Sequence, residues 1–404
     1  MNNKTLLLAL LGFLIRLFLI FPGPLESKVE FFANKADLRN YYWPAQAVLK
    51  GENPYVLWAM GQSGEFRSDM APLELVVYVA TVAIWNDARA IQVLFAVFDA
   101  MNIGLLGVLL RNSPLRLPFQ VFYAFGPLTL YNFVLVPADK TILLTLTFAI
   151  FYLLLKPRDD VFRFKKLRLS SRTLVIFLAA ILASFKWLSV FYLLPLLLFV
   201  SRDWRDLIKY GALFGVVVGL SHLPWIPDWL YVYTFRSGRV ATPFHTAPAV
   251  LLNAIGLFDK NLLLVVLALS LLLIYALFWF KRIDIFETIA LSVMVGVLWT
   301  PDMDPVHLAI VVLHLLLIIN WARVGRMATV WLSSGWVAFV YAVSTRSGFT
   351  RYGIPDPRLI TGVYGSNQMI VLSYVLFVAV FALYVFDKRR GSAVGREILN
   401  GETI

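Results

Sequence analysis

The sequence predicts an all-α polytopic membrane protein, and three observations lead there. Of its 404 residues, 60% are hydrophobic and only 15% are charged, against roughly 45–50% and about 25% in a soluble domain. Its mean hydropathy is +0.76. Apolar runs of about 17–25 residues, the length of a spanning helix, recur along the whole chain. So much apolar surface has no water-soluble core to enter, which excludes a soluble enzyme, a disordered chain and a fibrous repeat. Cysteine is absent, which excludes disulfides, a thiol nucleophile and a thiolate-bound metal. The net charge of +12 reads as cytoplasmic anchoring, not as nucleic-acid binding.

Taken in order, spans are expected at 5–21, 88–110, 117–134, 140–156, 209–224, 261–280, 284–299, 306–321, 327–345 and 368–386. The run 173–200 is too long for one upright helix and is interrupted by Lys186. It reads as one tilted helix or as two halves turning at the lysine. The run 72–86 opens with Pro72, carries Glu74 in its first turn and is short for a crossing. Loop charge decides between these readings, because loops rich in Lys and Arg stay in the cytoplasm. The most basic linker, 156–172, holds Lys156, Arg158, Arg163, Lys165, Lys166, Arg168 and Arg172. It falls inside if 72–86 lies at the outer surface and 173–200 turns back. Nearly every cytoplasmic connection is then short and basic, there are about 12 membrane segments, and both termini are inside. The chain reads as a single integral membrane domain over 1–404, with long outer loops at 22–87 and 225–260 and a cytoplasmic tail at 387–404. Residues 1–20 read as a retained first helix, since no small-residue cleavage site follows them.

The outer segments carry the polar residues that composition leaves unexplained. Ionisable groups near a bilayer are costly and mark function by default. Asp37, beside Arg39 and followed by Tyr41, Tyr42 and Tyr55, is placed to accept a proton from a hydroxyl, although its position alone favours a cap for the helix that follows. Asp69 reads as the cap of the helix starting near Pro72, and Arg67 as a phosphate contact. Asp139 and Lys140 read either as an exposed N-cap with an interface anchor or as groups that orient a substrate. Lys186 cannot easily snorkel to water from mid-membrane. It needs a turn at the surface, a buried partner or an anion, and a phosphate accounts for both the lysine and the long segment. Asp302, Asp304 and His307 form either a weak metal motif or a Pro-rich turn with Asp304 as cap, while His314 reads as structural. His245 lies in the second long loop. Arg346, Arg351 and Arg358 sit outside against the charge bias and suit phosphates or plain solvation.

With these residues in view, ADLRNYYWPAQAVLKGENPY at 36–55 resembles the first outer loop of the GT-C membrane glycosyltransferases. It is most similar to the polyprenyl-phosphate-mannose-dependent mannosyltransferases of bacteria and archaea. The shared pattern is an Asp after the first helix, a Tyr, a Gly and a Pro-Tyr pair, here Asp37, Tyr41 or Tyr42, Gly51, and Pro54 with Tyr55. APLELVVYVA at 71–80 resembles the family's Pro-Leu juxtamembrane helix. ASFKWLSVFYLLPLLL at 183–198 resembles its broken Lys-containing segment, and TPDMDPVHLAIVVLHLLLI at 300–318 its late outer turn. The matches run in family order from about residue 5 to 320. Pro137 to Lys140 depart from the polar pair that members often carry there, and the last two helices match nothing.

The resemblance implies a GT-C-like bundle with juxtamembrane helices in the first outer loop. It implies an inverting transfer of a sugar, mannose by resemblance, from a polyprenyl (dolichyl-type) phosphate to a lipid or glycan acceptor at the extracytoplasmic face of a prokaryotic membrane. Asp37 would be the base. Lys186, Arg39, Arg351 and His307 would meet the donor phosphate or sugar, and Tyr41, Tyr42, Tyr55, Asp139, Lys140, His245 and Asp304 would line the cavity. No cofactor is required; Asp302 and Asp304 leave room for a divalent metal. Two rivals stand beside this reading: a lipid or solute transporter or flippase, and a non-catalytic subunit of a glycan-assembly complex.

Overall fold

The computed structural model describes residues 3–23, 36–62, 68, 70–113, 116–126, 129–130, 139–157, 160–164, 167–232, 252, 256–257, 259–300 and 308–318. These are overwhelmingly helical. The described residues of Met1–Val108, Phe133–Val190 and Val200–Arg239 form one compact unit, and those of Leu109–Asn132, Phe191–Phe199 and Val240–Ile404 form a second.

In the first unit, α1 (Asn3–Ile20) is followed by α2 (Ala36–Leu49), the short α3 (Pro54–Ala59), α4 (Pro72–Ile84) and α5 (Ala88–Leu109), whose last residue belongs to the second unit. Asn53 starts α3 by accepting from the backbone N–H groups of Tyr55 and Val56, as a good N-cap does. Asp87 accepts from Arg89 N–H at the start of α5. Then come α7 (Lys140–Leu155), α8 (Ser171–Lys186), α10 (Trp204–His222) and α11 (Ile226–Tyr231). Between α7 and α8, β1 (Val161–Phe164) pairs antiparallel with β2 (Leu167–Ser170), Val161 opposite Ser170 and Phe164 opposite Leu167. The basic linker is therefore a β-hairpin, a departure from the all-α expectation. Its VFRF and LRLS stretches combine β-favouring Val and Phe with apolar Leu, and two residues separate them.

Helices α7 and α8 are each 16 residues long, about 24 Å at the helical rise. They pack on each other, and the hairpin joins them at one end. The start of α7 and the end of α8 meet at the other, where Asp139 lies beside Lys186. Twelve of the α7 residues are buried, so this is the unit's central helix. By contrast α1 exposes Leu6, Leu7, Leu10, Leu14 and Phe18, and α10 exposes Ile208, Val216 and Leu220. Apolar patches of that extent are rare on a protein surrounded by water and suit contact with lipid.

The run 173–200 is broken. Helix α8 stops at Lys186, a 3-10 turn spans Leu188–Tyr192, and α9 (Leu193–Val200) follows. Ser189 donates its hydroxyl hydrogen to the Ala179 carbonyl at 2.6 Å. A residue three positions past the helix end thus reaches one seven positions before it, so the chain doubles back beside Lys186. The expected span at 209–224 begins earlier, at Trp204, where Asp203 accepts from Asp206 N–H. It runs on helically through a 3-10 turn (Leu223–Trp225) to Tyr231, so the second long outer loop opens as helix.

The second unit holds α6 (Arg116–Phe125), α9 up to Phe199, α12 (Lys260–Trp279), α13 (Ile285–Trp299) and α14 (Leu308–Ile318). Of the expected span 117–134, α6 covers residues 117–125, and residues 127–128 and 131–134 lie outside the described residues. Asp284 and Glu287 form a reciprocal capping box at the start of α13, which satisfies two orphan N–H donors. Gly296 of α13 packs on the Phe191 ring with no space for a Cβ.

Among the described residues, four helical stretches are long and apolar enough to cross a membrane: Asn3–Ile20, Ala88–Leu109, Trp204–Tyr231 and Asn261–Trp279. Pro72–Ile84, Lys140–Leu155, Leu188–Val200 and Ile285–Trp299 are apolar but shorter. The expected spans at 327–345 and 368–386 lie outside the described residues.

Candidate functional site

The end of α8 places Lys186 in a cluster of four charged groups. Its Nζ is 3.4 Å from Asp139 Oδ2 and 3.5 Å from Glu74 Oε2. Lys140 Nζ donates to Asp139 Oδ1 at 2.9 Å. Both carboxylates are fully buried, Lys140 is buried, and the Lys186 side chain is 35% exposed. Two ammonium groups face two carboxylates, so the cluster is neutral with all four charged. Lys186 is its opening to the outside. The lysine therefore has both the turn and the buried partners that its position demanded.

Glu74 reaches the cluster from α4. That helix has 13 residues, about 20 Å, well short of the ~30 Å hydrocarbon core. Its N-cap position is taken by Ala71, which offers no side-chain cap; Asp69, expected there, lies outside the described residues, as does Arg67. Glu74 Oε1 accepts from the Tyr78 hydroxyl at 2.9 Å, while Oε2 accepts no hydrogen bond and faces the Lys186 ammonium. Burial pushes the Glu74 carboxyl up to about 7, opposed by the charge of Lys186 and assisted by that of Asp139. Burial also raises the Tyr78 hydroxyl, with the Glu74 charge adding to it.

Asp139 and Lys140 do not form the exposed cap and anchor that was one of their two readings. Asp139 directly precedes α7 but makes no side-chain cap bond, and neither residue is exposed. The two form an internal ion pair, because α7 is buried from its first turn. One residue on, Thr141 donates to Asp99 Oδ1 at 2.7 Å. Asp99 Oδ2 accepts from Arg16 Nε at 2.6 Å, and Arg16 Nη1 donates to the Gly12 carbonyl. Arg16 and Asp99 are both completely buried. Asn102 adds a 2.9 Å bond to the Thr141 carbonyl. Helices α1, α5 and α7 are thus pinned beside the cluster by a second set of charges.

The first-loop residues gather around α4. Asp37 is the second residue of α2, inside the helix and not at its cap, and its side chain lies outside the described residues. One turn further, the Tyr41 ring lies 5.1 Å from that of Tyr78 and 5.8 Å from that of Phe95. The helix that carries Asp37 is therefore packed on the helix that carries Glu74. Arg39 is exposed, with its guanidinium over the Trp43 ring. Tyr42 donates to Asn86 and accepts from Gln46. Tyr55 is buried, donates to the Met70 carbonyl at 3.0 Å and lies beside Trp225.

The segment after α10 closes on the same region. Asn53 Nδ2 donates to Asp228 Oδ2 at 2.7 Å. Trp229 stacks near-parallel on Trp187, the residue after Lys186, and its ring is 4.7 Å from that of His222. His222 Nδ1 lies 2.8 Å from the Val218 carbonyl oxygen. Residues of the first loop, of the turn before α7, of the bend after α8 and of the start of the 225–260 loop thus meet at the end of the unit away from the hairpin.

His307, Arg351, His245, Asp302 and Asp304, with Arg346 and Arg358, lie outside the described residues. His314 is buried, with Nδ1 at 2.8 Å from the Ile310 carbonyl oxygen of its own helix. Among the described residues no group of three or more metal-binding side chains gathers. Glu74, Tyr78, Asp99 and Arg16 were not singled out as site residues from sequence. The signal for Arg16 and Asp99 was present, since each is a charge inside an apolar run, as Lys186 is. No protein-family model matches the chain, and no curated protein matches it either.

Proposed function

We propose that the chain is an inverting glycosyltransferase of the GT-C kind. It would move a sugar, mannose by resemblance, from a polyprenyl phosphate to a lipid or glycan acceptor at the extracytoplasmic face of a prokaryotic cell membrane. The observation that carries the reading is the packing of α2, whose second residue is Asp37, onto α4, whose Glu74 faces Lys186. It supports an acid and a cation working at one end of one packed unit. In this reading the bundle has about 12 membrane segments and takes no obligatory cofactor.

Asp37 takes the proton of the acceptor hydroxyl, whose oxygen attacks the anomeric carbon from the face opposite the phosphate. The carbon–oxygen bond to the phosphate breaks, and the lipid phosphate leaves with the electron pair. Lys186, at the rim of the cluster, stabilises the charge that develops there. The isoprenoid chain rests on the lipid-facing side of the unit, where Ala9, Phe13, Met101 and Gly104 help line an apolar groove of about 570 Å³. A transporter would place its polar groups near the midplane between repeated halves. The cluster at one end of the first unit favours chemistry at that end.

The test incubates purified protein with polyprenyl-phosphate sugars and measures released lipid phosphate and transferred sugar. Asp37→Ala is expected to lower transfer by roughly 10²–10⁴-fold, the usual worth of a positioned base, while donor binding persists. Transfer unaffected by that change, or none from any such donor, sinks the proposal.

A further inference from the structure

We infer that the Lys186 cluster is a phosphate site in which the entering anion is accompanied by a proton, and that Glu74 is the group that receives it. The inference rests on reading Lys186 as a phosphate contact and extends it to what happens to the carboxylates that already hold the lysine. With all four groups charged, Glu74, Asp139, Lys140 and Lys186 balance. A phosphate that takes the outward-facing amine of Lys186 draws it from both carboxylates and adds negative charge beside them. Asp139 retains Lys140 at 2.9 Å. Glu74 retains the neutral Tyr78 hydroxyl on Oε1 and the weaker influence of the Lys140 charge, and its Oε2 accepts no hydrogen bond.

A fully buried carboxylate stripped of its counter-charge neutralises sooner than it remains an ion. Of the groups that favour its ionised form, Lys186 counts for most, ahead of the Tyr78 hydrogen bond and the charge of Lys140, while Asp139 opposes it. From α4 there is Tyr78, whose hydroxyl already donates; from α7, Asp139 repels and Lys140 is engaged; from α8, Lys186 is drawn to the ligand; from α2, Tyr41 packs on Tyr78. The proton comes from solvent and goes to Glu74 Oε2, the oxygen without a hydrogen bond. No covalent bond forms or breaks at phosphorus. The proton thus offsets one unit of the anion's charge, and deprotonation of Glu74 returns Lys186 to its carboxylates when the anion leaves.

The experiment titrates the full-length protein in lipid nanodiscs with a short-chain prenyl phosphate, and separately with inorganic phosphate, from pH 6 to 8.5. Binding heats are taken in two buffers of different ionisation enthalpy, which counts protons taken up by the wild-type protein without any variant. The expected result is uptake approaching one proton above pH 7. Affinity should fall with rising pH there by up to about tenfold per unit, the limit for one linked proton. Glu74→Gln should remove most of that uptake and flatten the pH dependence. The ligand's own second ionisation, near pH 6 for the phosphate monoester and about 7 for inorganic phosphate, contributes to both proteins alike. Uptake that is unchanged in Glu74→Gln, or absent from the wild type although phosphate binds, overturns the inference and leaves the glycosyltransferase reading standing. No binding of either probe overturns this inference, and sugar transfer measured on the same sample then judges the enzyme reading separately. Coupled binding of inorganic phosphate alone overturns the membrane carrier as the source of the anion.

Discussion

The Tyr41 ring lies 5.1 Å from the Tyr78 ring, and Tyr78 donates its hydroxyl hydrogen to Glu74 at 2.9 Å. The first-loop helix is thereby connected, through one aromatic pair and one hydrogen bond, to the carboxylate that faces Lys186. Each consequence of this arrangement can be measured.

Glu74 makes stability depend on pH with a definite sign. Its folded-state value, about 7, lies above the ordinary 4.5. Between those values the folded protein holds a proton that the unfolded chain has released. Glu74 therefore contributes stability at low pH that is lost as pH rises through this window, and the loss is complete above it. Glu74→Gln, which is neutral throughout, should gain melting temperature relative to wild type as pH rises from about 5 to 7. A difference between the two proteins that stays constant from pH 5 to 8 contradicts this.

Asn53 holds two structures at once. Its oxygen caps α3 and its amide nitrogen donates to Asp228. Asn53→Ala should cost about 1–2 kcal/mol, from the lost cap and the lost bond together. Asn53→Asp keeps the cap but sets a second carboxylate against Asp228. Proteolysis near residues 225–232 should therefore accelerate in Asn53→Asp, and Asp228→Asn should rescue it. Equal cleavage of wild type and Asn53→Asp counts against the tether.

Arg16 and Asp99 are both fully buried. Removing one leaves the other as an uncompensated charge, which typically costs about 3–5 kcal/mol, whereas replacing both with apolar residues is far milder. Arg16→Leu should therefore unfold at much lower temperature than wild type, and Arg16→Leu combined with Asp99→Leu should recover most of the loss. Additive losses in the double variant would show that the pair is not an interacting unit.

The absence of cysteine allows single thiols to report sidedness. Met60, exposed in the first loop, and Phe162, exposed in the hairpin, are suitable positions. Met60→Cys should react with an impermeant reagent in intact cells, and Phe162→Cys only after permeabilisation. Labelling of both from outside overturns the proposed topology.

The reach of local pattern is clear from particular residues. Lys186 was legible as an anomaly because one charge in a long apolar run has no inexpensive explanation. The same logic applies to Arg16 and Asp99, yet each sits in a helix that otherwise reads as an ordinary span. Asp139 and Lys140 read equally as an exposed cap with its anchor or as groups that orient a substrate, because a polar pair at a helix start suits both. They are buried because α7 is central to its unit, a property of its neighbours. From sequence Glu74 stands in the first turn of its helix with no partner, and only the approach of α8 gives it a cation.

Composition and the length of the apolar runs by themselves determined the helical class, and the anomalous lysine together with loop charge pointed to the break at Lys186, because the costs of exposing apolar surface and of stranding a charge are local. The tertiary structure decided which charges face each other. It brought residues 74, 139 and 186 together and turned the basic linker into a hairpin at the far end of α7 and α8. Pairing across 112 positions of chain, from 74 to 186, depends on how helices stack, and no short stretch of sequence encodes that.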